Sequence, residues 1–459
     1  MVPCLTEDCL RIIFTQLTYE ENIYSCILVN RFWCRVAIPI LWKSNFAAFT
    51  CYKKLYETII YLLPTSSKEL LIKNKIISSS TVLSYQPLFN YIKISSQVPS
   101  SFIEVMTKNL TNRKNYHLLE RVIYKLFINN CVNIKDFYLI TTQPLYQFPG
   151  ALTCFSKLCT FTLKIRRAPS TLLLGMAQIC KNIENLNIYY CNNNIPGLMK
   201  FIDVQTNLKS LSLIMDHTKK KCKQELSEII ERKAATLKQL SISPTITLLS
   251  PKFLPSLVNL QYLDLCNDNG NKLDKGSEEM QEWEKYISIA SFSNLQHLKT
   301  KYLPFYNEYI LVERSNGNIL EIEKYLINKN MNLNYSEKLI KSIIRYCPKI
   351  EKLAIFIEPE NLIGVKEILL NCNQLKWIEL STFNKKKLNC DRFLEILVNY
   401  SPKTLFNFYF NNDFIFTGYA LRFFFENWKG RIPLTFYKDK FTKEHLIIME
   451  RYRRMVIFE

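Results

Sequence analysis

The sequence is poor in glycine and has no long apolar run. Glycine accounts for 9 of 459 residues, against 29 phenylalanines and 26 tyrosines, which excludes a flexible, linker-rich chain and favours packed helices and strands. We find no uncharged apolar stretch of about 18 residues that could span a bilayer, and the amino terminus lacks the pattern of a secretory signal. These absences predict a protein without a membrane span that is not secreted.

Motifs for metal binding and catalysis are also missing. The 15 cysteines include no C-x-x-C pair, and the histidines lie far apart, at His117, His217, His297 and His445. Neither a disulfide framework nor a zinc site is predicted, and a reducing cytoplasm or nucleus is favoured. No phosphate-binding loop, serine nucleophile elbow or zinc-protease motif occurs. We therefore predict no catalytic residue, metal or cofactor.

The net charge of +20 is the one composition signal that points towards nucleic acid. The basic residues are spread along the chain, with short clusters within residues 219–223, 385–387 and 451–454. Two interpretations stay open. The charges belong to solvated helix faces and turns, or a few of them form a patch for phosphate contact or nuclear import.

Residues 5–17, LTEDCLRIIFTQL, have the pattern of an amphipathic helix. Apolar residues recur at i, i+3, i+4 and i+7, at Leu10, Ile13, Phe14 and Leu17. Thr6 is placed to cap this helix, with two acidic residues in its first turn. The pattern predicts a helix that starts at residue 7.

Two further short helices are predicted before residue 46. A capping box from Thr18 to Glu21 begins one, and Asn30 caps another that Pro39 is expected to stop, leaving Trp42 to pack back on the bundle. Three short helices in about 45 residues cannot bury all their apolar surface alone. The remaining face is expected to bind a partner.

These residues resemble an F-box. The run LTEDCLRIIFTQL followed by CILVNRFWCRVAIPILW is similar to the F-box pattern in large expanded fungal families, with Thr6 at the family's usual proline position. The resemblance implies that this surface docks a Skp-type adaptor and, through it, a cullin, with seven adaptor-binding residues: Leu5, Cys9, Leu10, Ile13, Phe14, Val29 and Trp33. The alternative is that these residues form the core of a small helical bundle and nothing more.

The rest of the chain contains a degenerate repeat. A phrase such as N-L-x-x-L-x-L recurs, with a central apolar anchor at Leu186, Leu211, Leu240, Leu263, Leu298, Leu353, Ile378 and Phe408. Successive anchors are 25, 29, 23, 35, 55, 25 and 30 residues apart, and N-I-L-E-I at 318 is a worn copy within the longest gap. Eight copies at this spacing indicate leucine-rich repeats, each with one strand and one helix.

The predicted fold class is α/β, with an amino-terminal three-helix F-box followed by a curved leucine-rich-repeat-like solenoid that has a parallel concave sheet. Outer helices are predicted at 223–235, 336–347 and 391–400, and a carboxy-terminal cap at 414–428 and 442–455. The predicted domains are an F-box at 1–46, a helical spacer with irregular early repeats at 47–150, the solenoid at 151–430 and a cap helix at 431–459.

Several cysteines recur at fixed positions of the repeat and are interpreted as buried structural thiols. Cys180, Cys347 and Cys372 each stand six residues before an anchor. Cys131 and Cys191 are interpreted as the turn position after a strand, with Y-K-L-F-I-N-N-C at 124 as a candidate first unit.

Residues that flank each anchor are expected on the concave face. They are mixed polar and aromatic rather than uniformly basic, which counts against nucleic acid as the main ligand. The substrate-binding candidates are Tyr262, His297, Trp377, Glu379 and Tyr409, since aromatic residues commonly anchor protein interfaces.

Three functional hypotheses follow. The first is a substrate-recognition subunit of an SCF-type cullin ubiquitin ligase that binds an unidentified protein substrate and lets other subunits do the chemistry. The second is a repeat scaffold outside the ligase that binds RNA or an acidic partner through its basic surface. An undetected enzyme ranks last. The sequence does not name the substrate.

Overall fold

In the computed structural model the chain forms two compact units, Met1–Leu208 and Lys209–Glu459. The structure describes residues 5–17, 20–41, 52–78, 87, 90, 92–93, 97–112, 114–164, 168–191, 196–216, 224–268, 278–303, 305–325, 334–357, 361–382, 388–410, 414–428, 431, 434–438, 441–452 and 456–457.

Three short helices open the first unit and form the amino-terminal bundle, which comprises α1 (Glu7–Thr15), α2 (Glu20–Ile27) and α3 (Arg31–Leu41). The Thr6 cap is confirmed, because its hydroxyl accepts a hydrogen bond from the amide of Cys9 at 3.4 Å. Asn30 caps α3 in the same way, accepting from the amide of Trp33 at 2.8 Å. Both caps satisfy amides that the first helical turn leaves without a partner.

One expectation about this bundle is wrong. Pro39 does not end α3, which continues to Leu41. A proline in the last turn removes a single backbone hydrogen bond, so the helix can run on for two residues beyond it. Thr18 of the expected capping box and Trp42 lie outside the described residues.

The remainder of the first unit leads from helices into strands. Its later elements are the helices Tyr52–Leu62, Thr65–Lys73, Ser100–Leu110, Tyr116–Asn130, Ala151–Phe155, Ser170–Ile179 and Pro196–Asp203, and the strands β1 (Asp136–Leu139), β2 (Thr160–Lys164) and β3 (Asn185–Cys191). The three strands are parallel, in the order β1-β2-β3. Phe137, Phe161 and Leu186 are aligned across them and buried.

The proposed first repeat unit at 124 is wrong. Those residues lie within the helix Tyr116–Asn130, and Cys131 caps the end of that helix rather than following a strand. All residues from Val122 to Ile128 except Lys125 are buried, as suits a helix that is covered on most sides. Cys131 instead stands six residues before the buried Phe137, in the same position as the three other repeat cysteines.

The described residues of the second unit form ten parallel strands of one sheet. In spatial order these are β4 (Ser210–Met215), β5 (Gln239–Ser243), β6 (Tyr262–Cys266), β7 (His297–Lys301), β8 (Glu321–Tyr325), β9 (Lys352–Ile357), β10 (Trp377–Thr382), β12 (Asn407–Phe410), β14 (Leu434–Lys438) and β15 (Val456–Ile457). β11 (Leu388–Asn389) and β13 (Phe414–Ile415) form a separate parallel pair.

Helices connect most of these strands. They span Gln224–Lys233, Glu278–Ile289, Phe305–Glu313, Asn334–Tyr346, Leu362–Asn371, Asp391–Tyr400, Gly418–Asn427 and Lys443–Arg451, and short 3-10 turns lie at Ile246–Leu248 and Pro251–Ser256. The three outer helices predicted from the sequence are therefore present. Alternation of strand and helix around a parallel sheet makes the fold a leucine-rich-repeat-like α/β solenoid, as predicted.

The repeat anchors are confirmed as the centre of the core. All eight are buried, and the strands of the second unit pair so that neighbouring anchors face each other, for example Leu263 with Leu298 and Leu353 with Ile378. The degenerate repeat copy at 318 does form a strand, because Ile322 of β8 pairs with the anchors on both sides.

The carboxy-terminal cap differs from the prediction. A helix does begin after Thr442, whose hydroxyl accepts from the amide of His445 at 3.2 Å. The helix Gly418–Asn427 is not terminal, however, because β14 and β15 extend the sheet beyond it. Phe436 takes the anchor position of β14, so a leucine pattern does not reveal that strand.

Cysteines of the repeats are buried thiols at helix ends. Cys131, Cys180, Cys347 and Cys372 each donate their amide to a carbonyl four residues earlier, at 2.7 to 2.8 Å. Burial raises the pKa of Cys180, Cys347 and Cys372 to about 12. Cys191, by contrast, is the last residue of β3 and is also buried.

We expect the buried thiols to resist alkylation in the folded protein. A thiolate is the reactive form, so at pH 8 Cys372 should stay unmodified by iodoacetamide while the exposed Cys9 reacts. Peptide mass spectrometry before and after unfolding in guanidinium checks this. Labelling of Cys372 at the same rate in both states would contradict the buried position.

Within the described ranges, no helix is long and apolar enough to cross a bilayer. The same residues contain no group of three histidine, cysteine or acidic side chains arranged to hold a metal ion.

Candidate functional site

The seven predicted adaptor-binding residues divide into two sets. Leu10 and Phe14 are buried inside the amino-terminal bundle, and the ring of Phe14 lies 5.3 Å from that of the half-buried Trp33. These side chains hold α1 against α3. The remaining four residues face solvent, namely Leu5, Cys9, Ile13 and Val29.

Apolar side chains of α1 are exposed on the side away from the buried pair. Cys9 and Ile12 lie three residues apart on α1, with Leu5 just before the helix, and Ile12 is 64% exposed. Further apolar side chains are exposed at Leu28, which is 72% accessible, and at Tyr24, Phe32 and Val29 on α2, α3 and the turn between them. We call all these exposed side chains, together with Ile13, the exposed apolar face of the bundle.

Sequence reasoning missed four members of this face, Ile12, Tyr24, Leu28 and Phe32. The signal was available at Ile12, which follows Leu5 and Cys9 at helical spacing. No such signal existed for Leu28 and Phe32, because their exposure depends on how α2 and α3 pack.

The second candidate surface is the strand face of the second unit, formed by the residues on either side of each anchor. Residues there alternate between partly exposed and buried along each strand, as in β7, where Leu298 and Thr300 are buried and Lys299 between them is partly exposed. One side of the sheet is therefore covered and the other is accessible. Parallel pairing aligns these residues in two rows. The row before the anchors is Gln239, Tyr262, His297, Glu321, Lys352, Trp377, Asn407 and Thr435; the row after them is Ser241, Asp264, Lys299, Glu323, Ala354, Glu379, Tyr409 and Tyr437.

Charges of opposite sign alternate across β6 to β9. Lys299 stands between Asp264 and Glu323 in one row, and its ammonium lies 3.7 Å from the Glu323 carboxylate. Glu323 also pairs with Lys352 on β9. In the other row the imidazole Nδ1 of His297 lies 3.2 Å from Glu321. The charges on this part of the face are thus largely satisfied within the protein.

Aromatic side chains dominate the part of the strand face from β10 to β14. The ammonium of Lys352 lies 4.8 Å from the centre of the Trp377 ring, within the range of a cation–π contact. Tyr409 and Tyr437 stack with their ring centres 4.8 Å apart and 12° between the planes. Flat, rigid aromatic groups of this kind are common anchors of protein interfaces.

Burial changes the titration of two residues of β6. It raises the pKa of Tyr262 to about 12, an effect to which the charges of Asp264, Glu323 and Glu321 add. It also raises the pKa of the Asp264 carboxyl, against the opposing effects of Lys299 and a hydrogen bond donated by Ser241 at 3.1 Å. Tyr262 therefore stays a neutral hydrogen-bond donor at physiological pH.

The structure brings the five predicted substrate-binding residues together in two groups. Tyr262 and His297 pair across β6 and β7, with ring centres 6.2 Å apart. Trp377 and Glu379 lie on β10, and Glu379 pairs with Tyr409. Strands β8 and β9 separate the groups. Sequence reasoning missed Glu321, Glu323 and Tyr437, which belong to strands with a weak repeat pattern.

Comparisons with known proteins identify no family. The sequence matches no protein-family model, and no curated protein matches it. Among solved structures, the chain is similar to that in the crystal structure of the yeast Rad7 and Elc1 complex, with 13% identity, a TM-score of 0.43 and coverage of 86% of this chain and 91% of that chain.

Two bacterial structures are also similar. The leucine-rich repeat-containing protein LegL7 from Legionella pneumophila shares 12% identity with a TM-score of 0.32, over 72% of this chain and 93% of that chain. A Bacteroides fragilis protein shares 12% identity with a TM-score of 0.35, over 60% of this chain and 74% of that chain. At these levels of similarity the neighbours do not define a family, and the fold rests on the strand order and repeat register of the chain itself.

Proposed function

We propose that this protein is the substrate-recognition subunit of an SCF-type cullin ubiquitin ligase, which binds a Skp-type adaptor through its amino-terminal bundle and a protein substrate through its strand face. The exposed apolar face of the bundle carries the proposal. Leu28, Ile12 and their neighbours present apolar surface to water on a small domain, which is the mark of an interaction site.

The resemblance of residues 5–42 to an F-box supplies the identity of the partner. Four of its seven motif residues, Leu5, Cys9, Ile13 and Val29, are accessible for docking, while the others build the bundle that displays them. Ligation would then take place on other subunits. This chain would contribute proximity, by holding a substrate lysine where the effective concentration of charged ubiquitin-conjugating enzyme is high.

Binding of the purified full-length chain to a Skp-type adaptor tests the adaptor half of the proposal. We expect the two to co-elute in size-exclusion chromatography at micromolar concentration, and a cullin amino-terminal domain to join them. Titration calorimetry then measures the affinity. Absence of binding at 50-fold higher adaptor concentration would refute this half.

The substrate half is tested with a variant of the aromatic part of the strand face. Tyr409→Ala removes one ring of the stack with Tyr437, and we expect affinity for a captured substrate to fall by about tenfold or more while adaptor binding is unchanged. Tyr419→Ala is the matched control, since that side chain is 81% exposed on the helix Gly418–Asn427. Affinity purification under proteasome inhibition supplies the candidates, and equal recovery by all three proteins would contradict a role for the strand face.

A further inference from the structure

A cavity of about 550 Å³ lies in the first unit, and its lining residues belong to neither surface discussed so far. It is lined by the helices Ser100–Leu110 and Tyr116–Asn130 and by residues 140–142, which follow β1. Its volume lies within the range of small-molecule and side-chain pockets. It also opens beyond the carboxyl end of a parallel strand, where α/β sheets commonly bind ligands.

A buried carboxylate forms part of the cavity wall. Glu120 is 3% exposed, although it belongs to a residue type that is seldom buried. Its Oε2 accepts a hydrogen bond from the Gln143 amide at 3.2 Å, and its Oε1 accepts a longer one from the Tyr116 hydroxyl at 3.4 Å. Two oxygens of a carboxylate offer about four acceptor positions, so these two hydrogen bonds leave acceptor capacity on Glu120.

The charges around the cavity are unequal. Glu104 and Lys108 both line the cavity and form an ion pair at 2.8 Å, one turn apart on the same helix. Glu120 has no such salt bridge to lysine or arginine among the described residues; its ionisable neighbour is the exposed His117, whose Nδ1 lies 3.7 Å from Oε2. Burial raises the pKa of Tyr116, with a further contribution from the charges of Glu120 and Glu104, so its hydroxyl remains a donor to the carboxylate.

Burying an ionised carboxylate without a cation is unfavourable, and an incoming cation with several N–H donors would relieve that cost. Thr141, Thr142 and Asn112 also line the cavity, and each has a side-chain oxygen that can accept a hydrogen bond. A planar guanidinium carries five donors in a fixed arrangement, which suits acceptors that converge from several directions.

We propose that this cavity binds an arginine side chain of a partner protein, with Glu120 as the residue that recognises the guanidinium. The assignment of that arginine to a ubiquitination substrate rests on the proposed function, whereas the cation-binding site does not. An alternative role for Glu120 is to hold the segment after β1, because the Gln143 amide that it accepts from also bonds to the carbonyl of His117 at 2.9 Å.

Titration calorimetry of the full-length chain with Ac-Ala-Arg-Ala-NH₂ tests the proposal. We expect saturable binding, and at least about tenfold weaker binding of the citrulline analogue, which keeps the shape of arginine but lacks its charge. Spermidine provides the other source of a cation. Spermidine binding as tight as that of the peptide would overturn the assignment to a protein side chain, as would equal affinity for arginine and citrulline.

Two variants separate recognition from structure. Glu120→Gln should weaken the arginine peptide about tenfold, whereas Glu228→Gln, the same change on the exposed side of the helix Gln224–Lys233, should not. If Glu120→Gln alters thermal unfolding, Glu104→Gln supplies the second measurement. Lys108, which also lines the cavity, then lacks the Glu104 carboxylate, and its positive charge should weaken binding of the arginine peptide. If the folded Glu120→Gln variant binds the arginine peptide with unchanged affinity, Glu120 has only a structural role and the proposed site is refuted.

Adaptor binding distinguishes failure of this site from failure of the proposed function. The exposed apolar face of the bundle contains none of the cavity residues, so Glu120→Gln should leave adaptor affinity intact. If the chain binds the arginine peptide but no adaptor, the proposed cation site is supported and the proposed ligase role is refuted. If the chain binds the adaptor but not the arginine peptide, adaptor docking is supported and the arginine site is refuted.

Discussion

Replacing Lys324 with methionine is expected to lower the free energy of unfolding of the second unit by about 3 to 5 kcal/mol, which is the usual cost of removing one partner from a buried ion pair. Lys324 and Glu308 form such a pair, and each is almost inaccessible to solvent. The hydroxyl of Thr300 donates a further hydrogen bond to the Glu308 carboxylate at 2.9 Å. Methionine would leave that carboxylate buried without its cation.

Neighbouring repeats explain why the pair lies in the core. Thr300 and Lys324 each stand two residues after an anchor, the position that leucine or isoleucine occupies in most of the other strands. Because apolar side chains suit that position, replacing the whole set with Thr300→Val, Glu308→Leu and Lys324→Leu should restore stability to within about 1 kcal/mol or raise it. Urea unfolding, with hydrogen exchange of the β7 and β8 amides as a local measure, checks both variants.

The decrease in the free energy of unfolding caused by Lys324→Met should depend on pH. Burial raises the pKa of Glu308, and Lys324 opposes that rise. In the variant, which lacks Lys324, the pKa of Glu308 should therefore lie higher still. A raised pKa means that the folded state binds the proton more tightly than the unfolded state, and stability from this group is lost as pH rises through the folded pKa. The difference from wild type should therefore be smaller at pH 5 than at pH 7. A deficit that is constant over this range, or absent at pH 7, would contradict the buried charge.

Periodicity predicted the repeats because the same apolar spacing occurs in every unit. The eight anchors and the outer helices at 223–235, 336–347 and 391–400 follow from it directly. Three units whose anchor is phenylalanine were not predicted, namely β1, β2 and β14 with Phe137, Phe161 and Phe436, whereas β12 with Phe408 was. A larger ring fills the same space in the core, but it removes the leucine pattern by which the strand would be recognised.

Burial of individual side chains was harder to predict, since it depends on contacts far apart in sequence. In α1 the motif residues Phe14 and Ile13 look equivalent, yet one packs on Trp33 and the other faces solvent. Lys324 is unexpected at a core position for the same reason, because its partner Glu308 lies in the helix Phe305–Glu313, which connects β7 to β8. The strand-face candidates were easier, since alternation along a strand fixes which side a residue occupies.

The exposed apolar face of the bundle gives the second prediction with a large expected effect. Val29→Asp should weaken adaptor binding by at least about 30-fold, because apolar anchors of an interface commonly contribute about 2 kcal/mol and the new carboxylate would be buried without a partner. Val29 is 56% exposed in the free chain, so the substitution should leave thermal unfolding unchanged. Leu28→Asp, at a still more exposed position, should behave alike.

Val132→Asp is the matched control, with 55% exposure at a site in the same unit but outside the bundle. Calorimetric titration of adaptor into the three variants and wild type separates a contact from a general effect of charge. Phe14→Asp serves a different purpose: that ring is buried against Trp33, so its loss should unfold the bundle and abolish binding without identifying a contact. If Val29→Asp and Leu28→Asp bind as tightly as Val132→Asp, the exposed apolar face is not the docking surface, and the resemblance to an F-box would describe the helices without their function.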